Sequence, residues 1–340
     1  MINLNIYIGK CVSYDHHALV SLADSYTKIL FTNNNRYDII LYIRQKTVNL
    51  KFIINKSETE MYRIEKKEVL GPAVVRMVVS APLIARKAEP GQFIILRVNE
   101  NGERIPLTIA DFDRENGTVT IIFQKVGATT DCLAELNEGD YISDFVGPLG
   151  RATETEGLKK VAIVGGGVGC AIAYPVAKKL NSLGCEVHSI VGFRNNDLVI
   201  LENEFAAVSK KFLKMSDDGS WGEKGLVTDA LRSLIESGEE YDEVIAIGPI
   251  VMMKFVSVLT KEFGIKTVVS MNPVMIDGTG MCGGWRLTVG GKTKFACVDG
   301  PEFDGHEVDF DEAMKRGAMY KDFERHAREE NCNLFRAEVK

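Results

Sequence analysis

In the stretch DGTGMCGGWRLTVGGKTKFAC, Asp277, Cys282 and Cys297 have the donor types and much of the spacing of an iron–sulfur loop. Four residues separate Asp277 from Cys282, as between the first two ligands of a plant-type [2Fe–2S] site, and that pattern puts the third ligand at position 285. Trp285 stands there. An indole nitrogen does not ligate iron, because its lone pair belongs to the aromatic ring. Three readings stay open. The cluster is absent and the loop vestigial; or His306 or Cys332 supplies the missing donor; or residue 285 is a sequence error, a tryptophan codon being one base from either cysteine codon. Zinc fits less well, because Cys282 and Cys297 lack the paired spacing of zinc sites.

A second signal is VAIVGGGVGCAIAY, where Gly165, Gly166, Gly167 and Gly169 lie between an apolar strand and a helix start. Glycines there let backbone approach a pyrophosphate, whose charge meets the helix N-terminus. The alternative is a tight strand-to-helix turn without a ligand. No acidic residue ends the following strand, and VGFRNND offers Arg194 instead, so NAD and NADP are not distinguished. A third set comes earlier. RIPLTI puts Arg104, Pro106 and Thr108 on one extended stretch, with a guanidinium suited to a phosphate and a hydroxyl suited to a ring carbonyl or nitrogen. QKVGATTD adds Gly127, Thr129 and Thr130 in a turn able to meet a second phosphate. Each piece alone is compatible with a solvated strand end. The five histidines form no Ser–His–Asp or Cys–His arrangement.

These residues need a framework. Residues 61–150 alternate short β-branched runs with turn signals, which predicts a small antiparallel barrel closing at GPLG, 147–150. Residues 151–271 alternate strand and helix, which predicts a doubly wound parallel sheet of about five strands. Residues 272–310 form the cluster-type loop, and 311–340 a charged helical tail. Residues 1–60 differ in character: they hold seven asparagines, one glycine (Gly9), no proline and a net charge of +2, against −8 for the remainder. They read either as an added, partner-binding arm or as translated upstream sequence, with Met61 the true start; the composition favours the latter.

Of the 340 residues, 45% are hydrophobic and 26% charged, as in an ordinary globular protein, and the net charge of −6 argues against nucleic acid as a partner. No run is long and apolar enough for a membrane span, and no secretory signal is evident. Seven irregularly spaced cysteines suit a reducing, cytoplasmic setting; Cys11, Cys132, Cys170, Cys185 and Cys332 read as plain thiols.

In this order, R-x-P-L-T, then GPLG, then a domain opening GGG-x-G resembles the ferredoxin reductase family. The segments SMNPVMIDGTGMCG and FACVDGPEFDGH narrow the likeness to small subunits that end in a [2Fe–2S] loop. Those are the electron-transfer subunits of dihydroorotate dehydrogenase and, more nearly, of the NADH-dependent reduced ferredoxin:NADP oxidoreductase, also called sulfide dehydrogenase. The likeness runs from Met61 to about His306. Asp277 matches the second group, where aspartate is the first ligand; the dihydroorotate subunits have cysteine there. The resemblance implies FAD on the barrel, held by Arg104, Pro106, Leu107, Thr108 and the Gly127–Thr130 turn, with Thr108 closest to the chemistry. It implies NAD(H) or NADP(H) at Gly165–Gly169, Asp218, Gly219, Ser220, Gly248 and Pro249, and metal ligation by Asp277, Cys282 and Cys297. It also implies a larger flavin and iron–sulfur subunit in a heterodimer, with ferredoxin reached indirectly. The rival readings are a stand-alone, cluster-free NAD(P)H–flavin reductase, a dihydroorotate dehydrogenase subunit, and an interaction subunit with purely structural nucleotide sites.

Overall fold

The computed structural model describes residues 62–100, 102–275, 283–319 and 325–326 in full, and three earlier strands by their backbone. Those strands, β1 (Thr27–Phe31), β2 (Asp38–Gln45) and β3 (Val48–Asn55), form an antiparallel meander. They belong to a unit spanning Met1–Met61, separate from the unit Tyr62–Lys340.

In the second unit, seven antiparallel strands come first. They are β4 (Tyr62–Gly71), β5 (Val74–Ser80), β6 (Phe93–Arg97), β7 (Arg104–Asp113), β8 (Thr118–Gln124), β9 (Tyr141–Ile142) and β10 (Asp144–Leu149). Their order is β10-β6-β7-β8-β5-β4-β9. The single run 141–149 therefore pairs with β4 through β9 and with β6 through β10, which ties the two edges of the sheet together into a nearly closed barrel. Alternation supplies the filling: Val75, Met77 and Val79 of β5, Ile94 and Leu96 of β6, and Val119, Ile121 and Phe123 of β8 share one buried interior. Two short helices, α1 (Pro82–Ala85) and α2 (Ala128–Glu135), complete the barrel.

The next layer is built from β11 (Lys160–Gly166), β12 (Glu186–Phe193), β13 (Lys211–Ser216), β14 (Glu223–Lys224), β15 (Glu243–Ile247) and β16 (Thr267–Ser270). The helices are α3 (Cys170–Ser182), α4 (Glu202–Val208), α5 (Val227–Glu236) and α6 (Ile250–Glu262). The strands run parallel in the order β14-β13-β12-β11-β15-β16. Along β11, Val161 and Ile163 pack with α3 and α4, while Ala162 and Val164 pack with α5 and α6. Both sheet faces are covered, so this is the doubly wound sheet expected from the strand–helix rhythm. Strand order reverses around β11, the position where such sheets bind ligands at their C-terminal edge.

Three further strands follow: the hairpin β17 (Arg286–Val289) and β18 (Lys292–Phe295), then β19 (Glu302–Asp304), which adds antiparallel to β16. Helix α7 (Phe310–Gly317) packs on α6, with Lys254 paired to Asp311 at 2.7 Å. None of the described helices is long and apolar enough to cross a membrane.

The linker after β10 knits barrel, sheet and hairpin together. Gln92 Nε2 donates to Gly150 O at 3.0 Å, Arg151 N to Gly300 O at 2.7 Å, and Thr153 Oγ1 to Glu302 Oε1 at 2.7 Å. Burial pushes the Glu302 carboxyl up to about 7, with the carboxylates of Glu243 and Glu154 adding to the rise and the Thr153 bond opposing it. The folded chain thus keeps a proton that the unfolded chain loses near the ordinary value of 4.5. Stability should fall as pH rises from there towards 7, the unfolded state binding fewer protons throughout that window. Glu302→Gln should flatten this slope in thermal or denaturant melts across the window.

Candidate functional site

On β7 the side chains alternate. Ile105, Leu107 and Ile109 pack with the barrel interior, while Arg104 is exposed and Pro106 and Thr108 are half-buried on the outer face. At 3.3–3.4 Å per residue, Arg104 and Thr108 stand about 13 Å apart on one straight strip. Leu107, grouped with them from the sequence, points the other way. No carboxylate pairs with Arg104 among the described residues. The α2 N-terminus reaches the residue before it, Thr129 Oγ1 donating to Glu103 Oε2 at 3.3 Å. Gly127 is extended and caps α2; Asp131 N closes the first turn on Gly127 O, so the amides of 128–130 have no acceptor within the helix. Thr130 is buried and shapes the turn: its Oγ1 donates to Gly127 O and accepts from the amides of Val126 and Gly127. A guanidinium and a helix N-terminus side by side fit the pyrophosphate of FAD, with backbone amides and Arg104 as donors.

Past Thr108 the strand bulges between Ile109 and Asp111, and Ala110 is buried. Helix α3 crosses β7 here, Lys178 Nζ pairing with Asp111 at 2.8 Å. Arg76 of β5 likewise reaches Glu204 of α4 at 2.8 Å. The strip from Arg104 to Thr108 therefore ends at the nucleotide-type domain.

There the glycines divide the work. A Cβ on Gly169 would lie 2.6 Å from Ile247 O and 2.7 Å from Gly248 Cα, and one on Gly166 would lie 2.5 Å from Met252 Sδ. These two let the β11 and β15 turns touch, which brings Gly165–Gly169 together with Gly248 and Pro249. Gly167 differs: its φ is +54° and a Cβ there would meet nothing within 4 Å, so it borders open space in a conformation that favours glycine. Asp218, Gly219 and Ser220 lie at the end of β13, on the same sheet edge but beyond β12. Asp218 Oδ1 accepts from Ser220 N and Oγ, bonds that hold its carboxyl below the usual range. Asn196 N, from the β12 end, donates to Ser220 Oγ at 2.8 Å and joins the two turns. Arg194 is exposed beside them.

Trp285 and Cys297 flank the open end of the β17–β18 hairpin, where Ala296 N donates to Trp285 O at 2.9 Å. Both are buried in one apolar cluster with Leu287, Val289, Ala296 and Phe303. The Trp285 ring meets Phe93 of β6 edge-on, with centroids 4.9 Å apart at 88°. Phe93 is the cross-strand partner of Thr108. The hairpin is thus fastened to the strand next to the proposed flavin strip. Trp285 Nε1 is buried with no hydrogen-bond partner among the described residues. Asp277, Cys282 and Cys332 lie outside the described residues. His306 Nε2 is within 3.0 Å of Thr260 Oγ1 of α6, and His306 N donates to Asp304 Oδ1. At position 285 the donor chemistry does not fit an iron cluster. Phe93 was missed from the sequence; its signal was the unbroken run FIILR, too apolar for a strand with one wet face.

Residues 272–309 match the family model described as the iron–sulfur cluster binding domain of dihydroorotate dehydrogenase B. An uncharacterized protein of Clostridium beijerinckii is 53% identical over 269 residues, 77% of this chain and 91% of that protein. The dihydroorotate dehydrogenase B (NAD(+)) electron transfer subunit homolog of Thermotoga maritima is 46% identical, over 78% of this chain and 94% of its own. Among solved structures, a chain of the NADH-dependent reduced ferredoxin-NADP oxidoreductase superposes with a TM-score of 0.77 at 43% identity, covering 81% of this chain and 99% of that one.

Two substitutions separate the two halves of the site. Charge-assisted hydrogen bonds contribute roughly 1.5–3 kcal/mol each, so Arg104→Ala should weaken FAD binding by about tenfold or more, read as flavin lost on dialysis. Gly167→Val should raise KM for the nicotinamide nucleotide at normal flavin content, since the branched side chain enters open space from a strained backbone.

Proposed function

The chain belongs to the family of the dihydroorotate dehydrogenase B electron-transfer subunits, and we propose that it passes electrons between NAD(H) and a larger partner subunit through FAD held on its barrel. The observation that carries this is the outer strip of β7: Arg104 beside a helix N-terminus at one end, Thr108 at the other, and α3 of the sheet domain directly beyond. FAD, when bound, supplies a ring that takes a hydride as a pair and releases electrons singly. Arg104 and the amides at the start of α2 bind its pyrophosphate, while Thr108 offers a hydroxyl to the ring edge. Leu107 serves from behind, as barrel packing. Thr130 keeps the turn in shape.

On the sheet domain, the turns from β15 through β11 and β12 to β13 span three strand spacings, about 14 Å. That distance suits a dinucleotide laid along the edge. Gly167 admits its pyrophosphate to the α3 N-terminus, Gly248 and Pro249 border one end, and Asp218–Ser220 the other. Hydride transfer needs two rings held at near-attack distance and no general base. The Lys178–Asp111 and Arg76–Glu204 pairs act in this by fixing the angle between barrel and sheet. They are partly exposed, so each contributes position more than stability.

The partner we infer is of the ferredoxin:NADP oxidoreductase type. Asp277, in place of the cysteine that resemblance to the dihydroorotate subunits implies, and the match over 99% of the oxidoreductase chain both favour it.

Anaerobic addition of NADH to the flavin-loaded chain should bleach the flavin band stoichiometrically, and an artificial one-electron acceptor should restore it. A chain that retains no FAD, or whose FAD stays oxidised under excess NADH and NADPH, defeats the proposal.

A further inference from the structure

Position 285 lies where the loop spacing calls for a thiolate, and the residue there is locked in place by three features. It is only 3% exposed within the apolar cluster behind the hairpin. Its ring packs edge-on against Phe93, which has Gly150 close by: a Cβ on that glycine would lie 2.8 Å from Phe93 Cε1. Its carbonyl accepts from Ala296 at the hairpin base. A buried tryptophan covers roughly 150–250 Å². Swinging it out to admit another donor would expose that area and open the contact between hairpin and barrel. The indole N–H has no acceptor among the described residues, so the ring is held by shape.

Among the described residues no thiol besides Cys297 and no imidazole belongs to the cluster around Trp285. Cys170 and Cys185 pack on the opposite face of the parallel sheet, and Cys132 packs against the barrel interior. The His306 ring lies beside α6, its Nε2 3.0 Å from Thr260 Oγ1 and its Nδ1 4.0 Å from Asp304 Oδ1.

We propose that position 285 has become a packing position, so that this chain, although it retains Asp277, Cys282 and Cys297, holds no stable four-ligand [2Fe–2S] cluster, and that this one residue decides its cluster content. The inference concerns the exit of electrons from the flavin and so rests on the flavin reading of the barrel. No electron step in this chain is then routed through iron.

The test compares the full chain with Trp285→Cys and Trp285→Phe, each reconstituted anaerobically with ferrous iron, sulfide and a thiol reductant. Iron, acid-labile sulfide and the electron paramagnetic resonance signal after dithionite reduction are measured together with flavin content. The unaltered chain and Trp285→Phe should stay far below one cluster per chain, and Trp285→Cys should reach one. A full cluster in the unaltered chain overturns the proposal. So does a Trp285→Cys protein that keeps its flavin yet gains no iron. Should Trp285→Cys fail to fold, the unaltered chain decides alone: iron-free supports the proposal, fully loaded rejects it. Flavin content and NADH bleaching in the same samples report on the barrel separately, so loss of the flavin reading is not confused with loss of this one.

Discussion

Strand β6 is apolar on both faces, and a barrel wall of that kind cannot be left to water. Ile94, Leu96, Ile105, Leu107 and Ile109 fill the interior, which leaves Phe93 and Ile95 facing outward with Ala110. Burying a side chain such as phenylalanine or isoleucine contributes about 1.5–3 kcal/mol. The hairpin carrying Trp285 covers Phe93, and α3 crosses the far end of β7. Between these covers runs the strip Arg104–Pro106–Thr108. The seam between barrel and sheet follows from how that outer face is shared out.

The same sharing explains why the glycines are not interchangeable. Gly166 and Gly169 draw two βα turns into backbone contact and would be jammed by any side chain. A Cβ on Gly167 would meet nothing, and the residue instead turns the chain through positive φ. A run that reads as one motif thus combines a packing requirement at Gly166 and Gly169 with a requirement for backbone freedom at Gly167.

Much of the framework was legible in the amino-acid order. Short alternating runs mark the barrel, and apolar strands alternating with helices mark the doubly wound sheet, because periods of two and 3.6 leave distinct traces. Direction within the strip was less legible: in RIPLTI both faces are apolar enough that Leu107 and Thr108 cannot be told inward from outward without β6 beside them. Thr130 looked like a phosphate donor because a hydroxyl near a glycine turn suits either task, and only the fold shows it bonded to Gly127 O. Phe93 and Trp285 are far apart in sequence, so their contact leaves no local trace. The antiparallel β19 is three residues long, too short for periodicity to reveal.

Strand β19 also bears on how the segment before it is anchored. Ser270, the last residue of β16, is paired with Glu302, the first of β19, so the chain between them leaves the sheet and returns at a single rung. Its ends are held a strand spacing apart whatever lies between, and loop-closure entropy grows only slowly with the length enclosed. Between those ends the segment is also tied to the barrel, through Trp285 on Phe93 and through Arg151 N donating to Gly300 O, so it is held from two sides.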